Sequence, residues 1–171
     1  MADDETTQGT LAKEEAREEL KERLERELGE LLQELRSLIP GAQVLFGFLL
    51  AIRFTGEFGE LDDTERYVYY ATLVSTAIAL VLFLAPAVYH RVRFREGDKE
   101  FLLRKANREA LAGSAATALA LIGALFLVTD LVFGRAEAAI AALAFFAVIA
   151  WRWWAIALYR TLKGRQTTKA E

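Results

Sequence analysis

From residue 10 onward the chain alternates between two kinds of pattern. Over residues 10–36 apolar side chains recur among Glu, Lys and Arg, with Ala16, Leu20, Leu24, Leu28, Leu31, Leu35 and Leu38 stepping by fours and then by alternating threes and fours. That spacing predicts an amphipathic helix with one apolar stripe. Thr10 suits an N-cap, and residues 1–9, polar and without period, predict a disordered tail. Pro40 and Gly41 predict a kink or break, because proline removes a helix N–H and its ring crowds the preceding turn.

Beyond residue 36 the pattern becomes blocks. Residues 67–89 form 23 consecutive uncharged positions, residues 110–129 form 20, and residues 138–159 form 22 interrupted only by Arg152. A helix needs about 20 mostly apolar residues to cross a bilayer. A shorter block, 37–52, reaches across only by borrowing Leu35 and letting Arg53 extend to the headgroups. The predicted fold is therefore all-α, a four-span transmembrane helix bundle preceded by an amphipathic, Glu-rich cytoplasmic helix. Its parts are the tail (1–9), that helix (10–36), spans at about 37–54, 67–89, 110–130 and 138–159, and a basic cytoplasmic tail (161–171).

Charge between the blocks orients the bundle. The connection 53–66 has two basic residues against five acidic, and the turn 130–137 has one against two. The connection 90–109 instead carries seven, Arg91, Arg93, Arg95, Lys99, Arg104, Lys105 and Arg108, and the C-terminal tail is also basic. By the positive-inside rule both termini lie in the cytoplasm, which requires an even number of spans. Tyr67, Tyr69 and Tyr70 at one end of the second span, Tyr89 at the other, and Trp151, Trp153, Trp154 and Tyr159 in the fourth predict aromatic belts. Small residues at helical spacing predict close packing: Ala71, Ser75 and Ala79; Gly113, Ala116, Ala120 and Gly123; Ala138, Ala142, Ala147 and Ala150. Pro86 predicts a kink in the second span. Gly97-Asp98 starts a helix that carries Phe101, Leu102 and Ala106 towards the membrane and runs into the third span.

Composition removes several functions. The whole chain is 26% charged with a net charge of -3, values a soluble protein also has, yet 18 of its charges fall in residues 1–36. Because 12 of those are acidic and six basic, the amphipathic helix is not expected to lie on anionic lipid. Its heptad-like seam predicts a coiled-coil-type partner helix, in the same chain or in a second copy. There is no Cys, so no disulfide or thiolate metal site, and a single His cannot build a metal centre. The acidic start lacks the basic and apolar regions of a cleaved signal peptide. HExxH, GxSxG and glycine-rich phosphate motifs are absent, so no enzymatic activity and no cofactor are expected. The basic connection lacks base-stacking aromatics, and its place beside a membrane accounts for its charge without nucleic acid.

Polar groups in or beside the spans are the candidate functional residues. Arg53 and Asp130 end the first and third spans at similar depth, either as a pair or as two separate interfacial charges. Arg152 either snorkels to the inner interface or bonds inward to Glu34, Gln43, His90 or another acceptor. His90 is a possible proton-responsive group, and Gln43 and Asn107 are inter-helix hydrogen-bonding candidates.

The runs ELLQELRSLIPGAQVLFGFLLAIRFT, LDDTERYVYYATL, APAVYHRVRFR and KANREALAG resemble a family of small, uncharacterised bacterial four-helix membrane proteins classified as a domain of unknown function. The likeness covers roughly residues 31–159, leaving the Glu-rich helix as a feature particular to this chain. Some members carry an automatic sodium/proton antiporter label. The resemblance implies four spans and draws attention to Glu34, Arg36, Gln43, Asp62, His90, Arg91, Asn107 and Arg108 without giving any of them a role. The expectation is a multi-pass protein of the bacterial inner membrane. It self-associates or serves as an accessory subunit through its N-terminal helix, with a small oligomeric cation or proton transporter or channel as the alternative.

Overall fold

A computed structural model describes residues 2–59, 61–92 and 99–167. Four α-helices hold nearly all of them: α1 (Ala2–Ile52), α2 (Asp63–Val92), α3 (Lys99–Phe133) and α4 (Arg135–Thr167), with a short 3-10 turn, η1 (Gly56–Gly59), after α1. No strand occurs among the described residues. Four stretches, Lys13–Ile52, Asp63–Tyr89, Glu100–Phe133 and Arg135–Trp153, are long and apolar enough to cross a membrane. Leu119, Val128, Ile140 and Leu143 are each at least 60% exposed, an outward apolar surface suited to lipid rather than water. The fold is thus all-α with four candidate spans, as the block pattern predicts.

Three expected boundaries move. The N-terminal tail is helical from Ala2. The amphipathic helix and the first span are one 51-residue helix that runs through Pro40. Pro40 and Gly41 are exposed, while Leu35 before them and Ala42 after them are buried, so packing on both sides carries the helix across the missing N–H. The basic tail also continues α4 as far as Thr167, where only Gly164 opposes helix.

The chain forms two compact units. The first consists of Met1–Phe48 and Thr76–Ala115. Leu28, Leu35 and Ala42 are buried at intervals of seven on α1, Thr76, Ala79, Phe83 and Pro86 at alternating threes and fours on α2, and Ala106 and Gly113 seven apart on α3. A repeat averaging 3.5 keeps one seam against the same neighbours along a helix. Within the stripe of α1, Leu28 and Leu35 are therefore covered within the chain, Leu24 and Leu31 are half-buried, and Ala16, Leu20 and Leu38 are exposed. Ala106, expected to face the membrane, is fully buried, while Phe101 is exposed. Phe83 lies against Gly113, where an added Cβ would sit 2.6 Å from its Cε1.

The second unit consists of Leu49–Ser75 and Ala116–Glu171. Leu49, Tyr69, Thr72, Ala120 and Ala138 are its buried residues. Gly123 meets Thr72 so closely that a Cβ would overlap the Thr72 hydroxyl. Among the expected small-residue faces, Ala79, Gly113, Ala120 and Ala138 are buried, but Ala71 and Ala147 are exposed, and on α2 Thr72 and Thr76 are buried as well. The Thr72 hydroxyl donates to the Val68 carbonyl one turn back at 2.7 Å, so burying it leaves that donor satisfied.

Candidate functional site

The polar groups of the second unit gather where its helices end. At the close of α1 the last carbonyls lose their intrahelical donors and must be met otherwise. The chain tightens, so Arg53, Phe54 and Thr55 donate their N–H groups to Leu50, Ala51 and Ile52, three residues back. The Leu49 carbonyl, skipped by this shift, accepts the Tyr69 hydroxyl at 2.8 Å. Tyr69 is 7% exposed and packs edge-on against Phe58 of η1, centroids 5.0 Å apart. It therefore leaves the expected aromatic belt, in which Tyr67 and Tyr70 do remain exposed.

The start of α2 is fixed by a reciprocal cap. The Glu65 N–H donates to Asp62 Oδ1 at 2.9 Å and the Asp62 N–H to Glu65 Oε2 at 2.7 Å, satisfying two free donors of the first turn. In the same unit α3 and α4 are joined by one residue. Gly134, at φ 104°, donates its N–H to the Asp130 carbonyl and accepts that of Ala138, so it ends one helix and begins the next. The left-handed backbone there is open to glycine and strained for other residues.

This turn sends Arg135 back over both acidic groups. Its Nε lies 3.1 Å from Asp130 Oδ2, and its terminal nitrogen bonds Asp62 across 73 positions of sequence. The Asp130 side chain is only 7% exposed, so its charge depends on this partner. The cap from the Glu65 N–H, followed by the Arg135 bond, holds the Asp62 carboxyl below its usual range. One guanidinium thus ties the α1–α2 connection to the α3–α4 turn.

Arg53 and Asp130 consequently do not pair. Arg53 stands over the Phe58 ring, 4.6 Å from its centroid, and Asp130 is taken by Arg135. Gln43, Asn107 and Arg152 are exposed. The His90 side chain, like those of Trp154 and Tyr159, lies outside the described residues. Arg135 and Glu109 are not among the candidates the sequence offers, and Tyr69 is there only as a belt residue. For the cap the signal was present in D-x-x-E at 62–65. Glu109 sits in the first unit with its Oε2 buried and without a hydrogen-bond partner among the described residues. One turn earlier, Lys105 places its ammonium over Tyr89, 3.9 Å from the ring centroid. No three His, Asp or Glu side chains come together at metal-binding distance among the described residues.

A family model described as a family of unknown function, DUF6328, matches residues 17–157. The chain belongs to DUF6328. The match begins at residue 17, so it reaches further towards the N-terminus than the resemblance implied and takes in most of the Glu-rich part of α1. Asp62, Asp130 and Arg135 all fall inside the matched range. Neither a curated protein nor a solved structure matches this DUF6328 chain.

Proposed function

We propose that the protein is a non-enzymatic membrane subunit that self-associates through the N-terminal part of α1. The supporting observation is that the apolar stripe outruns its cover. Leu28 and Leu35 are buried in the chain and Leu31 is half-buried, whereas Ala16 and Leu20 on the same helix are open, Leu20 being 53% exposed; Leu38, beyond Leu35, is 40% exposed. An apolar stripe on a charged helix in water is stabilised by a second helix, and a coiled coil between two such arms supplies one. The excess of basic residues in the 90–109 connection and the C-terminal tail supports an inner-membrane location with both termini in the cytoplasm.

The absence of native Cys makes the test clean. In membranes, Leu20→Cys should form a disulfide-linked dimer on mild oxidation, while Glu22→Cys, on the opposite side of the helix, should not. Equal crosslinking at both positions, or none at either together with a monomeric mass in mild detergent, would remove the proposal.

A second reading, a small proton or cation carrier, is favoured by one observation, the orphan carboxylate oxygen of Glu109 within a candidate span. Proteoliposomes holding a pH-sensitive dye test it. Flux above empty liposomes that disappears in Glu109→Gln supports this reading, and the same flux in both proteins excludes Glu109 as its carrier.

A further inference from the structure

Beside the Tyr69–Phe58 contact the second unit carries a groove of about 430 Å³, lined by Leu50, Phe54, Tyr70 and Leu73 along its length and by Arg53 and Arg66. We propose that this groove holds an anionic phospholipid, its headgroup phosphate between the two guanidinium groups and an acyl chain against Leu50, Tyr70 and Leu73.

Three observations converge on that occupant. The first is charge. Arg53 has no carboxylate at ion-pair distance among the described residues, and its contact is the Phe58 ring. Arg66 reaches the Gly59 carbonyl at 3.4 Å and Asp63 at 3.9 Å, but Asp63 is 92% exposed, so that pair is weak and easily exchanged for a better anion. Guanidinium forks match phosphate oxygens in two-point geometry. The second is that two further acidic groups nearby, among the described residues, are engaged elsewhere. Asp62 is bound by Arg135 and by its cap, and Glu65 closes that cap and lines a different cavity with Leu127 and Leu131. The third is position. The groove opens where α1 ends and α2 begins, at the limits of two candidate spans, beside Phe54 and Tyr70, which are 90% and 66% exposed. A headgroup and the first carbons of its chains lie at that depth. A free phosphate ion would use the two arginines and leave the apolar wall uncovered.

The test is the thermal unfolding midpoint of the full-length protein in mixed micelles of neutral detergent. Phosphatidylglycerol should raise the midpoint by several degrees more than the same amount of phosphatidylcholine, and native mass spectrometry should retain one phosphatidylglycerol per chain. The double variant Arg53→Gln/Arg66→Gln should lose both effects while keeping its midpoint in phosphatidylcholine, and Arg53→Lys/Arg66→Lys should keep most of them. Should the Gln variant fail to fold, Leu73→Trp, which fills the groove and leaves both cations in place, must also lose the bound lipid. Equal stabilisation by the two lipids, an undiminished effect in both altered proteins, or an equal shift with inorganic phosphate alone would overturn the proposal.

Discussion

Replacing Gly113 with Ala adds a single methyl group, and its cost is set by one neighbour. The new Cβ falls 2.6 Å from Cε1, 2.7 Å from Cδ1 and 3.2 Å from Cζ of Phe83. Phe83 is 2% exposed, so its ring has no free space into which to turn. Overpacking of this kind costs about 1–3 kcal/mol, while exchanging glycine for alanine inside a helix returns about 0.5–1 kcal/mol. The net loss is about 1–2 kcal/mol, and at about 2–4 °C per kcal/mol for a chain of this size the unfolding midpoint falls by about 2–8 °C. Gly29 is the internal control. Nothing stands within 4 Å of its added Cβ, so Gly29→Ala should leave the midpoint unchanged or raise it by about 1–4 °C. The decisive comparison is Gly113→Ala in a Phe83→Ala background. With the ring removed the clash is gone, and the substitution should turn from destabilising to neutral or stabilising. Thermal unfolding of the four proteins in one detergent measures this coupling. An unchanged cost of Gly113→Ala in the absence of the ring refutes the reasoning.

Three further expectations concern the second unit. Tyr69→Phe keeps the ring packing and removes the only described donor to the Leu49 carbonyl, so it should cost about 1–3 kcal/mol, read as a lower midpoint with unchanged helicity. Gly134→Ala forces an L side chain into φ 104° and should cost at least about 1–2 kcal/mol, whereas a D-alanine introduced by semisynthesis should not; equal effects of the two enantiomers would refute the backbone argument. The Asp62 carboxyl is held below its ordinary value of 3.8, so its contribution is present above that pH and lost as pH falls through the lower folded-state value. Wild type should therefore exceed Asp62→Asn in stability at a constant margin from pH 5 to 8, and the margin should close only below about pH 4; a margin that closes between pH 5 and 7 would place the titration elsewhere.

How much of this was legible beforehand follows from the range of each interaction. The four spans are written locally, as runs of apolar residues, and hydropathy finds them because a bilayer imposes one length on every crossing segment. The start of α2 is local too, in Asp62 and Glu65. Pro40-Gly41 does not break α1 because a proline's effect depends on what holds the helix on either side, and Leu35 and Ala42 are buried on both sides of it. The heptad spacing of α1 identified a seam without saying what it meets, since the same spacing serves a neighbour in the chain or in another copy. The Arg135 bridge was out of reach because 73 residues separate it from Asp62, and a charge pair leaves no periodic trace. Tyr69 looked like its neighbours Tyr67 and Tyr70, and only the register of α2 separates a buried cap from two exposed rings.

The single-residue joint at Gly134 bears on how the protein is made. With no loop between α3 and α4, the two cannot be delivered to the bilayer one after the other with a slack segment waiting between them. In the orientation proposed above the tip of this hairpin is the end that crosses, and it carries Asp130 and Arg135 joined, so a carboxylate and a guanidinium would make the passage as a neutralised couple rather than as two bare ions. Lengthening the joint would leave both helices apolar enough to insert and still impair biogenesis, by letting that couple separate while it crosses.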